Sequence, residues 1–86
     1  MPEVAEVEVI GKHLAVREQP QKRGRKTRRW HVQSRSEGKL LGIVEWHSPW
    51  RQYNFDPNYG TTFSAGCLSD IAAFLKEKTT EQRGSG

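Results

Sequence analysis

The sequence predicts an α+β domain: a three-stranded antiparallel sheet, with a fourth short strand as an option, and one C-terminal helix packed on one face. Three observations predict it. WHVQSR and KLLGIVEWH alternate apolar and polar residues on either side of a glycine turn. RQYNFDP continues that alternation after a proline, and SAGCLSDIAAFLKEK repeats apolar residues at helical spacing.

A chain of 86 residues has room for one core. With 34% hydrophobic and 28% charged residues and a mean hydropathy of -0.84, the composition fits a folded piece with polar flanks. No run approaches the roughly 18 apolar residues of a membrane span, and residues 1–20 lack the pattern of a signal peptide. The expectation is a cytoplasmic protein without a membrane partner. A single cysteine, Cys67, rules out an internal disulfide and a cysteine zinc site, so packing, a partner or a homodimer must stabilise the fold.

Residues 1–20 read as an N-terminal arm of undecided structure. Val4, Val7, Ile10 and Leu14 have helical spacing, while Val7 and Val9 between glutamates alternate as in a strand. Residues 21–29, QKRGRKTRR, hold Lys22, Arg23, Arg25, Lys26, Arg28 and Arg29 and no acid. Their +6 exceeds the whole chain's +4, residues 1–20 summing to -2 and residues 30–86 to zero. Such a segment has nothing apolar to bury and repels itself, which predicts an extended, flexible stretch until an anion neutralises it.

The domain proper is expected over residues 30–78. A Ser36–Gly38 loop with Gly38 left-handed pairs Trp30 with Val44, in preference to a two-residue Glu37–Gly38 loop that pairs Trp30 with Glu45. The first register puts Trp30, Val32, Val44 and Trp46 on one face and His31, Gln33, Arg35 and Glu45 on the other, as a sheet buried on one side requires. Pro49 belongs in a turn. Pairing Trp46 with Arg51 and Val44 with Tyr53 sends Tyr53 and Phe55 inward, leaves Gln52 and Asn54 outward, and puts Arg51 uncomfortably on the apolar side. Thr61–Phe63 is either the fourth strand or a lead into the helix. Ser64 is the expected N-cap, and Leu68, Ile71, Ala72 and Leu75, widened by Cys67 and Phe74, form the helix stripe. Residues 79–86 read as a disordered tail.

Four segments in this order, W-H-V-Q-S, L-G-I-V-E-W, W-R-Q-Y-N-F-D-P and C-L-S-D-I-A-A-F-L, resemble a small uncharacterised domain of phage and bacterial mobile-element proteins over about residues 27–76. The resemblance implies a sheet-plus-helix module and a mobile-element setting, and no activity. MPEVAEVEVIGKHL also resembles the opening of formamidopyrimidine-DNA glycosylases, which would make Pro2 the amine nucleophile and Glu3 its acid-base partner. That likeness covers about 14 residues, lacks the family's zinc finger and length, and is set aside: covalent amine chemistry needs an enclosing pocket.

No nucleophile triad, phosphate loop or close carboxylate pair stands out, so no enzyme and no cofactor are expected. His13, His31 and His47 lack metal-ligand spacing, and Cys67 reads as a small core residue. The chemistry that remains is polyanion binding, with DNA preferred to RNA. The candidate contacts are Lys22, Arg23, Arg25, Lys26, Arg28 and Arg29 for phosphate, with His31, Gln33, Arg35, Gln52 and Asn54 on the open sheet face as base-reading groups. Six phosphate contacts would give a log-log salt slope of about -5 on duplex DNA. The alternative is a module that binds a host protein through its exposed turn aromatics Trp50 and Tyr59.

Overall fold

The computed structural model describes residues 7–21, 24 and 26–84. Five strands form one antiparallel sheet in sequence order: β1 (Val7–Val9), β2 (Leu14–Glu18), β3 (Arg29–Ser34), β4 (Leu40–His47) and β5 (Gln52–Pro57), followed by a helix, α1 (Ala65–Gly84). The α+β class with one C-terminal helix therefore stands, but the sheet has two more strands than the expected three. Both come from the arm, and Thr61–Phe63 adds none.

The reason lies at Gly11. It sits in the turn between β1 and β2, where a Cβ would overlap the Asp70 carboxylate of the helix. Ile10 N–H donates to Leu14 C=O at 3.1 Å and closes this turn. Leu14 and Val16 then alternate inward against Ser34 and Val32 and lie in the core. The helical spacing in this stretch is coincidental, because alternation with a partner strand prevails.

Trp30 pairs with Val44, as expected, and Gly38 is left-handed with φ 70°. A one-residue bulge between Val32 and Gln33 shifts the pairing to Gln33–Leu40, and Ser34 N–H donates to Lys39 C=O at 2.9 Å. The loop therefore spans Arg35–Gly38. In the second hairpin Trp46 pairs with Tyr53 and Val44 with Phe55, two residues from the expected register. An even shift keeps every side chain on its predicted face. Arg51 moves off the sheet into a left-handed turn residue, φ 53° and ψ 49°, that closes the Ser48–Trp50 3₁₀ turn containing Pro49.

The core is Leu14, Val16, Trp30, Val32, Val44 and Tyr53 of the sheet against Ile71 and Phe74 of α1. Trp30 packs edge-on to Tyr53 (5.2 Å) and Phe74 (5.1 Å). Ser64 Oγ accepts the Cys67 N–H at 3.2 Å, so the N-cap is where sequence puts it. The buried stripe is rotated from the expected one: Leu68 is 51% exposed and Ala72 faces solvent, while half-buried Cys67 packs on the core. The helix also continues six residues past Lys78. Thr79 Oγ1 accepts the Tyr53 N–H at 3.0 Å, Gln82 Oε1 accepts the Tyr53 hydroxyl at 3.3 Å, and Arg83 Nε donates to Arg51 C=O at 2.9 Å. Residues 79–84, read as tail, are thus tied to the sheet. No helix among the described residues is long and apolar enough to cross a membrane.

Candidate nucleic-acid interface

Because β1–β5 alternate, the face away from α1 carries Val7, Val9, Arg17, Arg29, His31, Gln33, Ile43, Glu45, His47, Gln52, Asn54 and Asp56. His31, Gln33, Gln52 and Asn54 lie there as predicted, all half-buried. Their freedom differs. Gln52 Nε2 donates to Asn54 Oδ1 at 3.0 Å, so each occupies part of the other's hydrogen-bonding capacity. Burial, then the Arg29 and Arg17 guanidinium groups, hold the His31 imidazole below its ordinary pKa and keep it neutral near pH 7.

Arg35 leaves this face. The bulge puts it in the hairpin loop, where its N–H donates to His13 C=O at 3.0 Å and its guanidinium donates to the Gly11 and Lys12 carbonyls at 3.4 and 3.3 Å. It joins two turns. With Arg17 and Arg29 set against Glu45 and Asp56, the open face carries no net charge.

The six-cation segment divides in two. Lys22, Arg23 and Arg25 lie outside the described residues, as do Pro2 and Glu3, and Lys26 is exposed. Arg28 and Arg29 belong to the fold. Arg28 forks onto Glu18 through Nε at 2.9 Å and Nη2 at 2.6 Å, reaches Glu81 at 3.4 Å, and covers the Trp30 ring at 4.7 Å. The bidentate bond holds Glu18 below the usual carboxylate range and raises Arg28 above its own. Both side chains are more than a third exposed, so the pair contributes about 1 kcal/mol at most. Arg29 Nε lies 3.5 Å from Glu45 Oε2, compensated in charge without hydrogen-bond geometry.

The tertiary structure gathers charge at one end of the sheet. β2 ends and β3 begins there, flanking the basic loop; β4 ends and β5 begins there, flanking the Ser48–Arg51 turn; and the last turns of α1 bond to Arg28, Arg51 and Tyr53. Among the described residues of 18–29, 45–51 and 76–84, seven Lys or Arg stand against four Asp or Glu, a net +3. Lys78 is bridged by Glu77 and Glu81; Lys26, Arg51, Lys76 and Arg83 form no ion pair among the described residues.

At this end Trp50 is 64% exposed and stands edge-on to His47 at 4.7 Å. It borders an open groove of about 1050 Å³ between β5 and α1, whose walls include Trp46, Phe55, Leu75, Lys76 and Arg83. Tyr59, fully exposed, sits in the turn at the opposite end of the sheet. The two predicted partner aromatics are therefore not brought together. Sequence reasoning missed Arg17, Arg51 and Arg83 as surface cations. No apolar periodicity announces Arg83, because the turn that carries it is held by polar bonds of Thr79 and Gln82.

Among the described residues no three His, Cys, Asp or Glu side chains stand close enough to hold a metal ion. No family model, no curated protein and no solved structure matches this chain.

Proposed function

We propose that the protein is a small nucleic-acid-binding module whose affinity comes from the cationic end of the sheet, with Lys22, Arg23, Arg25 and Lys26 as the phosphate-contacting loop. The observation that carries this reading is the net +3 of the described residues that converge at one end, set against a neutral open face; the sequence adds Lys22, Arg23 and Arg25 between β2 and β3. A polyanion is the partner that such a charge distribution favours, because each phosphate neutralised releases condensed counterions. Arg28 and Arg29 are engaged by Glu18, Glu81 and Glu45, so they contribute less than the four loop cations. His31 and Gln33 remain available on the open face as secondary contacts, with DNA as the preferred polymer.

The test is binding to a DNA oligonucleotide at several salt concentrations, with Lys22, Arg23, Arg25 and Lys26 replaced by glutamine. The expected outcome is a log-log salt slope that becomes shallower by about 4 on duplex DNA, with affinity falling at every salt concentration. Affinity that is absent in the parent protein, or indifferent to both salt and the replacements, would sink the proposal. The second reading, a module acting on a host protein, draws on Trp50 and on Leu68, 51% exposed beside the groove. Stoichiometric capture of one protein that Trp50→Ala abolishes, together with absent DNA binding, would favour it.

A further inference from the structure

We infer that Trp50 is a stacking platform for an unpaired base, so that the module takes single-stranded nucleic acid in preference to duplex. This inference rests on the nucleic-acid reading above and names the form of polymer that the site accepts.

Trp50 stands out from the fold on the Ser48–Trp50 turn. A tryptophan this exposed in a small domain leaves its largest apolar surface in water, and no residue of the Ser48–Trp50 turn is buried. Nevertheless the turn that carries it is braced. Pro49 stiffens the turn, the His47 imidazole meets the indole edge-on, and Arg51 N–H closes the turn on Ser48 C=O at 3.1 Å. Arg51 adopts a left-handed conformation unusual for a residue with a side chain, and Arg83 Nε clamps its carbonyl from the helix. An aromatic on a braced turn loses little backbone entropy when it contacts a flat ligand.

Cations line the groove beside it. The groove that Trp50 borders carries Lys76 and Arg83 on its helical wall, neither of them in an ion pair among the described residues. Arg51 follows Trp50 directly, and Arg28 and Arg29 stand where β2 ends and β3 begins, at the same end of the sheet. An indole with unpaired cations beside it matches the two parts of a nucleotide, an apolar base face and a phosphate.

A duplex is the poorer ligand for such a site. Bases in a duplex have both faces covered by their neighbours, so an indole cannot stack on them without unstacking the helix. The open sheet face that would lie in a major groove has no net positive charge, Arg17 and Arg29 being offset by Glu45 and Asp56, and its Gln52 and Asn54 side chains are bonded to each other. Single strands avoid both obstacles, since they bring free base faces to the edge of the sheet. An acidic peptide with aromatic anchors also combines apolar surface and negative charge, and is an outcome of the test.

The experiment compares 12-nucleotide oligo-dT, oligo-rU and a 12-base-pair duplex at one salt concentration, for the parent, Trp50→Ala and Trp50→Phe. Because Trp50 lies outside the core, thermal unfolding should show all three proteins equally folded. The expected result is tighter binding of single strands than duplex, and a loss of roughly tenfold for Trp50→Ala on both oligo-dT and oligo-rU. The salt slope and the duplex affinity should be unchanged, and Trp50→Phe should recover most of the loss. The tighter of the two single strands then names the polymer. An unchanged single-strand affinity in Trp50→Ala, or duplex bound as tightly as single strands, overturns the platform while leaving the loop's phosphate contacts standing. Failure of every oligonucleotide to bind defeats both, and binding of an acidic aromatic peptide by the same protein would then replace them.

Discussion

His31 shows how a single residue responds to the sheet around it. Burial and two neighbouring guanidinium groups lower its pKa from 6.5, so protonation is easier in the unfolded chain than in the fold. Stability from this group is complete above pH 6.5, is lost as pH falls from there to the lowered folded value, and is constant below it. Thermal midpoints measured from pH 8 to pH 5 should therefore decline below about 6.5, and His31→Gln should flatten that decline. Equal slopes in the two proteins would show that His31 is not the responsible group. Glu18 acts with the same sign at lower pH: its contribution is present above 4.5 and fades as the carboxyl takes up its proton at the lowered value. Gly42 is a second residue whose role is geometric. It faces the helix side opposite Pro57, and a Cβ there would stand 2.5 Å from the Phe55 ring and 2.6 Å from the Asp56 carbonyl oxygen. Gly42→Ala should cost about 1–3 kcal/mol in urea unfolding, because the backbone oxygen has no room to retreat.

Among the elements, β5 poses the problem of an exposed sheet edge. Its alternate N–H groups, at Tyr53 and Phe55, point away from β4, and an unprotected row of that kind invites another strand. Two devices interrupt it. Pro57 has no N–H at the outward position that follows, and Thr79 of the helix accepts the Tyr53 N–H. Thr79→Val keeps the shape and removes the acceptor, so it should cost about 1–2 kcal/mol and raise the tendency to self-associate. Denaturant titration and light scattering measure the two effects. The same contact explains why α1 outlasts its expected end. Apolar periodicity fades after Leu75, and the final turns are held by Thr79, Gln82 and Arg83 through polar bonds that no hydrophobic pattern announces. In the opposite sense, the Ser64 cap and the Gly38 turn were legible because each depends on residues only a few positions away.

For the whole molecule the organising quantity is the separation of charge. A chain of net +4 folds so that described residues totalling +3 meet at one end, where the segment holding Lys22, Arg23 and Arg25 joins β2 to β3. Such an end attracts a polyanion over distances set by the ionic strength, roughly 10 Å at 0.1 M salt. Four loop cations on phosphate imply that duplex affinity falls by about 150-fold between 50 and 200 mM salt, and the glutamine replacements should abolish most of that dependence. The candidate site was half legible for the same reason that the fold was. QKRGRKTRR stands out in any reading of the sequence, yet nothing in its spacing reveals that Arg28 and Arg29 would be paired within the fold.

What the sequence by itself determined is which way side chains look. Trp30, Val32, Val44 and Tyr53 point inward and His31, Gln33, Gln52 and Asn54 outward, because a period of two is local and survives even a two-residue change of register. What only the tertiary structure decided is which distant segments meet: residues 7–18 as two further strands, Glu18 and Glu81 on Arg28, and Arg83 beside the Trp50 turn. These depend on contacts between residues far apart in the chain, whose free energy is realised only when the sheet and helix have closed on one another.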